Sequence, residues 1–357
     1  MEGGKITLFL PAMDRKKLVA VFMIVFTVMA SSFAFYFYQI IYTPNLLIDH
    51  GGDQEFAIPK NSTFREVRNT LYNLGYLNDA VSFSFLAKIK GYDTQVKPGM
   101  YLLKENMTNN EAINLLRSGS QTPVKVTFSV ARKVEELPEK IAPFVGFSAE
   151  EISQLLLHDS TATYYGFEAE ELIAMFIPNT YEVYWTITPK AFLDRMKTEY
   201  KKFWSDERLK KAEALSLSPL EVATLASIVE SETKKMDEAP RVAGVYLNRL
   251  KRGIPLQADP TLVFALGDFS IRRVLDEDKK IDSPYNTYKY EGLPPGPISM
   301  PSIAALESVL NYEEHKFLYF CARADFSGYH AFATNLIDHN KNAKAFQQAL
   351  NKEKIFR

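Results

Sequence analysis

The sequence predicts an α+β fold: a single N-terminal transmembrane helix, then a small α/β module, then a larger mixed α/β domain. Two observations lead to this prediction. A long uncharged run lies near the N-terminus, and signals for strands and capped helices alternate after it. The 357 residues, 46% hydrophobic and 24% charged, are enough to bury more than one core. We divide the chain into residues 1–17, 18–42, 50–120, 124–175 and 176–357.

The membrane helix is predicted over residues 18–42, inside a stretch without charged side chains that extends to residue 48. About 20 apolar residues are enough to cross a bilayer. Residues 1–17 carry four basic and two acidic side chains, and three of the basic ones directly precede the apolar run. The positive-inside rule therefore predicts a cytoplasmic tail and places the chain after residue 45 on the outer side of the plasma membrane.

A cleaved signal peptide is the alternative for this segment, because Ala30 or Ala34 could precede a cleavage site. The apolar run continues well past both alanines, whereas the core of a signal peptide usually has about 7 to 15 residues. The length of the run therefore favours an uncleaved single-pass anchor.

Residues 50–120 contain the helix caps and turn signals of a compact α/β module. Thr63 precedes a helical pattern, a second helix is expected over residues 81–90, and a Pro-Gly turn leads into a strand near residue 100. Thr108 and Glu111 form a capping box for a further helix that Gly119 closes.

Residues 124–175 are interpreted as a connecting and supporting region. A strand is expected over residues 124–128, and helices over 134–144 and 149–157. This region contains no cluster of reactive side chains.

Charge and composition exclude several functions. With 42 basic and 43 acidic residues, the net charge is −1, so no basic field exists to bind nucleic acid. The five histidines include no pair at the helical i, i+4 spacing of a zinc motif, and Cys321 is the one cysteine. We therefore expect no metal and no cofactor, and we expect Cys321 to be a buried strand residue.

Two carboxylates end the best-defined helical pattern of the second half. Ser218, Pro219 and Glu221 mark its start as a capping box with proline in the first turn. On a helical wheel, Glu232 falls within the apolar arc and Glu230 lies just past its edge. A buried acid would have a raised pKa, as a general acid requires. The wheel leaves equally open a helix that ends near Glu230, with Glu232 in solvent.

Three loops follow that helix, and they contain rings, amides and prolines. Candidates for holding sugar rings and N-acetyl groups are Gln257, Asp259, Tyr285, Asn286 and Tyr288. The two prolines between Gly292 and Gly296 exclude regular helix or central strand there. The alternative interpretation is a surface loop that proline merely rigidifies.

Together these segments closely resemble the YceG-like (MltG) family of endolytic murein transglycosylases. The resemblance extends over nearly everything after the anchor and rests on ordered strings: IPNTY from Ile177, ASIVESET from Ala226, LNRL from Leu247, LQADPT from Leu256, YNTY from Tyr285, GLPPG from Gly292, and HAF from His330 followed by Thr334 and Asn335. One departure is Asn179, where the family often has Asp.

The resemblance implies a LysM-like front module and a catalytic domain over residues 176–357. It implies that Glu232 is the catalytic acid, with Glu230 as second choice, and it adds Asn248, Tyr181 and His330 to the substrate-binding candidates. The implied substrate is the peptidoglycan glycan, cut inside a strand between N-acetylmuramic acid and N-acetylglucosamine to leave 1,6-anhydro ends. A role beside the membrane's peptidoglycan synthases, limiting strand length, is implied as well.

Two alternative functions remain at this stage. A hydrolytic muramidase would release reducing ends, and a non-catalytic wall-binding anchor would use the front module alone. Asp259 precedes Pro260, which favours an extended backbone, so we expect Asp259 to shape a loop or contact sugar and not to act as a nucleophile. Without a second catalytic carboxylate, the substrate's own hydroxyl is the simplest attacking group.

Overall fold

The computed structural model describes residues 14–48, 52–128, 131–271 and 273–353, apart from the side chain of Asp159. These residues form two compact units. The first comprises the chain up to Pro123 together with Tyr184–Thr186, and the second comprises Val124–Val183 and the chain from Ile187 onward. Most of the predicted cytoplasmic tail, residues 1–17, lies outside the described residues.

The N-terminal apolar run forms one long helix, α1, over Arg15–Tyr42. Its most apolar stretch of 18 residues has a mean hydropathy of 2.4, and no residue of that stretch is buried by other described parts of the chain. Length and composition therefore fit a single-pass membrane anchor, as the sequence predicts.

The remainder of the first unit is an α+β module. Its elements, in chain order, are β1 (Pro44–Leu46), β2 (Gln54–Ile58), α2 (Phe64–Asn73), α3 (Ala80–Ile89), β3 (Gly99–Leu103), β4 (Met107–Thr108) and α4 (Asn109–Ser118). Strands β2 and β3 pair antiparallel, and so do β1 and β4. The capping box predicted at Thr108 and Glu111 is present, and Gly119 ends α4 with a positive φ of 74°.

A buried polar cluster fastens the end of α1 to this module. The Asn109 side-chain amide donates to the Ile40 carbonyl at 2.9 Å and to the Ser82 hydroxyl at 3.1 Å. Asn45 donates to the Asn109 side-chain oxygen at 2.7 Å. Ile40 is itself part of the apolar core of the unit. The last turn of α1 is therefore integral to the module.

The second unit is mostly helical, with two short antiparallel pairs of strands. Its elements are β5 (Val124–Phe128), α5 (Leu137–Ile141), α6 (Ala149–Leu156), α7 (Asp159–Tyr165), β6 (Asn179–Val183), α8 (Pro189–Phe203), α9 (Asp206–Ala214), α10 (Pro219–Glu232), α11 (Ala239–Lys251), α12 (Asp259–Leu266), α13 (Ile303–Leu310), β7 (Tyr319–Ala322), β8 (His330–Ala333) and α14 (Leu336–Lys352).

Strand pairing crosses the expected boundary at residue 175. β5 pairs with β6 from Val124–Val183 to Phe128–Asn179, so strands from both sides of that boundary form one sheet. Residues 124–175 therefore belong to the same compact unit as most of the chain that follows. Cap and turn residues mark the ends of helices and strands, but they do not show which distant strands pair.

Cys321 lies on β7, as predicted, but it is half-buried and not fully buried. Partial burial raises the pKa of its thiol.

Candidate active site

The helix that carries the two carboxylates lies at the centre of the second unit. The predicted capping box at the start of α10 is present. The Glu221 backbone amide donates to the Ser218 hydroxyl, and the Ser218 backbone amide donates to the Glu221 carboxylate. Every residue from Val222 to Val229 is buried, including Thr224 and Ser227. The one-sided apolar arc of the helical wheel is therefore wrong as a description of burial. Helices α11, α12 and α13 cover α10 on several sides, and the two hydroxyls hydrogen-bond within the protein.

Glu232 is the last residue of α10, two residues past Glu230, but its side chain is not left in solvent as the alternative interpretation expected. The residue is half-buried, and it lines two pockets of the second unit. The Tyr246 hydroxyl on α11 donates to Glu232 Oε1 at 2.9 Å. Burial raises the pKa of this carboxyl to about 7; the Tyr246 hydrogen bond opposes the shift, and the charge of Asp259 adds to it.

Glu230 has a different environment although it is two residues away. Its Oε2 accepts a hydrogen bond from the Ser302 backbone amide at 3.0 Å, and Ser302 is the N-cap residue of α13. An acidic side chain at a helix N-terminus stabilises that helix. This carboxylate thus fastens α13 to α10 at the edge of the site.

Two pockets meet at Glu232. One, with a volume of about 460 Å³, is lined by Glu230 and Glu232 of α10 and by Arg132, Asp259 and Phe264 among others. The other, about 310 Å³, is lined by Glu232 and Asp259 and also contains the side chains of Tyr246, Arg249, Gln257, Tyr288, Tyr319, Phe320 and His339. Glu232 and Asp259 are the residues common to both pockets, so a groove extends from them in two directions.

A third pocket of about 380 Å³ continues this groove. It shares Arg132 and Phe264 with the larger pocket at Glu232, and Tyr285 forms part of its wall. The Arg132 guanidinium lies 4.5 Å from the centre of the Phe269 ring, which also lines the larger pocket.

Asp259, Gln257 and Tyr288 are the binding candidates that the fold brings next to Glu232. The Tyr288 hydroxyl donates to Asp259 Oδ1. Two loops are joined here, because Gln257 N donates to the Thr287 carbonyl at 2.9 Å and Ala258 N donates to the Thr287 hydroxyl at 3.0 Å. Asp259 begins α12, so its position before Pro260 starts a helix and does not prolong an extended loop.

Tyr285 and Asn286 lie farther along the same loop and have other neighbours. Tyr285 is buried against Phe264, with ring centres 4.7 Å apart. The Asn286 amide donates to the carbonyls of Lys279 and Ile281 at 2.9 and 2.8 Å. Its oxygen accepts from two backbone amides of the following turn. Asn286 therefore shapes the loop, and sugar contact by its side chain would require those bonds to break.

The three remaining candidates are not brought to Glu232. The Asn248 amide donates to the carbonyls of His315 and Phe317. Tyr181 lies on β6 in the core, and its hydroxyl donates a hydrogen bond to the Ile177 carbonyl. His330 Nδ1 pairs with the buried carboxylate of Glu238 at 2.6 Å. These side chains hold loops and strands together, and none of them lines the pockets at Glu232.

Sequence reasoning missed Tyr246 and Arg249, which lie one turn apart on α11. Arg249 is buried, and its guanidinium donates to the carbonyls of Leu318, Pro255 and Leu256. It also reaches the Gln257 side-chain oxygen at 3.3 Å. A tyrosine and an arginine on an otherwise apolar face of this helix were the available signal, but only α11 packing against α10 puts the Tyr246 hydroxyl on Glu232.

Comparison with known proteins agrees with the sequence resemblance. A curated protein of Streptococcus pneumoniae named endolytic murein transglycosylase is 29% identical over 89% of this chain and 63% of its own length. A Bacillus subtilis protein of the same name is 26% identical over 83% of this chain and 85% of its own. The chain thus spans under two thirds of the pneumococcal relative.

A solved structure gives the same result for the fold. The crystal structure of a YceG-like protein from Listeria monocytogenes is 25% identical, with a TM-score of 0.52 over 81% of this chain and 98% of that one. The family model for YceG-like proteins matches residues 56–345, which is most of the sequence. The chain therefore belongs to the YceG-like family.

Proposed function

We propose that this protein is an endolytic murein transglycosylase that uses Glu232 as its acid and then as its base. The observation that carries the proposal is the half-buried Glu232 carboxyl, with a pKa raised to about 7, where two pockets meet. A general acid works best when its pKa lies near the operating pH. The family and the names of the relatives supply the substrate class, the glycan of peptidoglycan.

The first step breaks the bond between C1 of N-acetylmuramic acid and O4 of N-acetylglucosamine. Protonated Glu232 gives its proton to the leaving oxygen, and the substrate's own N-acetyl oxygen stabilises the positive charge that develops at C1. The Tyr246 hydroxyl donates to Glu232 Oε1, so it fixes the carboxyl and stabilises the carboxylate left after proton transfer.

The second step closes the 1,6-anhydro ring. The Glu232 carboxylate takes the proton of the C6 hydroxyl while O6 bonds to C1, which restores the protonated acid without consuming water. Burial of the carboxyl keeps its proton affinity high between steps. The groove extends in two directions from Glu232, and this suits a bond inside a strand; Gln257, Asp259 and Tyr288 line the pocket that would hold one side of it.

A hydrolytic muramidase is the second candidate, because Asp259 lines both pockets beside Glu232. The sequence analysis expected Asp259 to shape a loop or contact sugar, and not to act as a nucleophile. In hydrolysis, Asp259 would activate a water while Glu232 serves as the acid alone, or Asp259 would attack C1 and Glu232 would act first as acid and then as base for the water.

Product mass separates the two candidates. Purified murein is treated with the full-length protein in detergent, and the muropeptides are weighed. Anhydro ends are lighter than hydrolysed ends by about 18 Da, the mass of one water. Products that take up labelled oxygen from water would assign hydrolysis and give Asp259 a catalytic role. Glu232→Gln should abolish either product, whereas a wall-binding protein without activity would give neither product before or after the substitution.

We propose the remaining sequence assignments on the same basis. The protein would lie in the plasma membrane with its N-terminus in the cytoplasm and residues 50–357 on the cell-wall side, beside the synthases that make its substrate. Residues 50–120 would be a LysM-like module. The anchor is supported by the bare apolar helix α1. Intact Met1 in membrane-bound protein would support it, and a mature chain that starts near Ser31 or Phe35 would contradict it.

A further inference from the structure

The first unit exposes an apolar stripe on α3. Val81, Phe85 and Ile89 follow one another at i, i+4 and i+8, so they lie on one face of the helix. They are 73%, 42% and 59% exposed. Helix α3 contains no acidic residue, and Lys88 adds an exposed basic side chain next to the stripe. Side chains of this size and spacing on a water-facing surface indicate a binding face more than random placement.

The stripe is continuous with the end of the anchor helix. Phe85 packs edge-on against Phe37 of α1, with ring centres 5.4 Å apart. Phe37 is also the point at which the module begins to cover α1. Every described residue before it, from Asp14 to Tyr36, is exposed, whereas Phe37, Ile40 and Ile41 are covered.

The length of the bare part of α1 matches the thickness of a membrane. Residues 18–36 number 19, and at 1.5 Å per residue they extend about 28 Å. The hydrocarbon core of a bilayer is about 30 Å thick. If the uncharged run starts at the inner boundary, Phe37 and the ring of Phe85 lie at the outer boundary. Tyr38 and Tyr42, both exposed, then lie where aromatic belts are found.

We propose that the stripe formed by Val81, Phe85 and Ile89 inserts into the outer interfacial layer of the bilayer and holds the first unit against the membrane. The partner is lipid: apolar side chains enter the boundary of acyl chains and headgroups, and Lys88 reaches headgroup phosphates. The inference rests on the anchor assigned under the proposed function, but not on the enzymatic activity. Two fixed points, the helix α1 and the stripe, would restrict rotation of the unit about the anchor.

Depth-dependent quenching tests this directly on the full-length chain in phospholipid vesicles. Because Cys321 is the one cysteine of the sequence, a Cys321→Ser background allows single NBD labels at Val81→Cys, Phe85→Cys or Ile89→Cys. Tyr72→Cys on α2 is the matched control, since Tyr72 is 57% exposed in the same unit. Phe26→Cys, within the bare part of α1, reports on the anchor itself.

We expect lipids with a doxyl group near the headgroup to quench the three stripe labels at least about twofold more than the Tyr72 label. Quenching at Phe26 by lipids with a doxyl group deep in the acyl chain, together with stripe labels that behave like the Tyr72 label towards the headgroup quencher, would overturn the inference and leave the anchor standing. No quenching at Phe26 by the deep doxyl lipids would overturn both. Protection of the stripe in native membranes but not in pure lipid vesicles would assign it to a protein partner, against our proposal.

Discussion

Two glutamates of the first unit and Glu232 of the second unit are used in opposite ways. In the first unit, Glu66 and Glu111 occupy the third position of their helices and accept hydrogen bonds from the capping residues Thr63 and Thr108, which lower the pKa of both carboxyls. In the second unit, Glu232 is the last residue of α10, and burial raises the pKa of its carboxyl to about 7. A helix start attracts negative charge and a helix end repels it. The place of the side chain along its helix, together with burial, decides whether it stabilises the fold or remains able to donate a proton.

Replacing the carboxyl at the helix end should have the largest effect. Glu232→Gln keeps size and hydrogen bonding but removes the titrating proton, so we expect murein cleavage to fall at least about a hundredfold. Glu230→Gln is the matched control two residues away. Its amide oxygen can still accept from the Ser302 amide, so the loss should be much smaller. Normal cleavage by Glu232→Gln together with inactive Glu230→Gln would reverse the assignment.

The same substitution should stabilise the protein at alkaline pH. The folded pKa of Glu232, about 7, lies above its ordinary value of 4.5. Folding therefore binds this proton more tightly, and stability is lost as pH rises from about 4.5 to 7. Glu232→Gln avoids that loss. At pH 8 its free energy of unfolding should exceed that of the parent by no more than about 3 kcal/mol, at about 1.4 kcal/mol per pKa unit.

Chemical denaturation at pH 8 and pH 4 measures this difference. The gain should disappear at pH 4, where the glutamate is protonated in both states. A variant less stable than the parent at pH 8 would show that the carboxylate is stabilised in the fold, contrary to the contrast between the two units.

Removing a cap in the first unit should have the ordinary cost of a helix start. Thr108→Ala deletes the hydroxyl that accepts from the Glu111 amide, and we expect a loss of about 1 kcal/mol in the free energy of unfolding. Thr70→Ala is the control, because Thr70 is exposed inside α2 and alanine favours helix there. If both substitutions changed the free energy of unfolding equally, loss of the helix cap would not explain the effect of Thr108→Ala.

The smallest expected effect is on the pH profile. Because Glu232 must be protonated to start the reaction, cleavage should decline above about pH 7. Tyr246→Phe removes the hydrogen bond that lowers this pKa, so the decline should move to higher pH. Tyr165→Phe, which removes the tyrosine bond to Asp194, should leave the profile in place. A shift to lower pH would mean that Tyr246 favours the protonated acid.

Local chemistry determined much of the fold from the sequence alone. The structure contains the helices predicted from the apolar run, from the capping boxes at Thr108 and Ser218, and from Gly119 at the end of α4. Such signals can be read from sequence because caps act within three or four residues of a helix end. The ordered family strings likewise pointed to the YceG-like family, which the comparisons confirm.

Tertiary structure alone decided what depends on residues far apart. β5 and β6 join across the expected boundary at residue 175, and α10 is buried on sides that its own periodicity left polar. Asn248, Asn286 and His330 carry polar groups suited to sugars, but backbone carbonyls and Glu238 engage them instead. Tyr246 and Asp259 become neighbours of Glu232 only because α11 and α12 pack against α10. Residue type fixes which bonds a side chain can make, and packing fixes which partners are within reach.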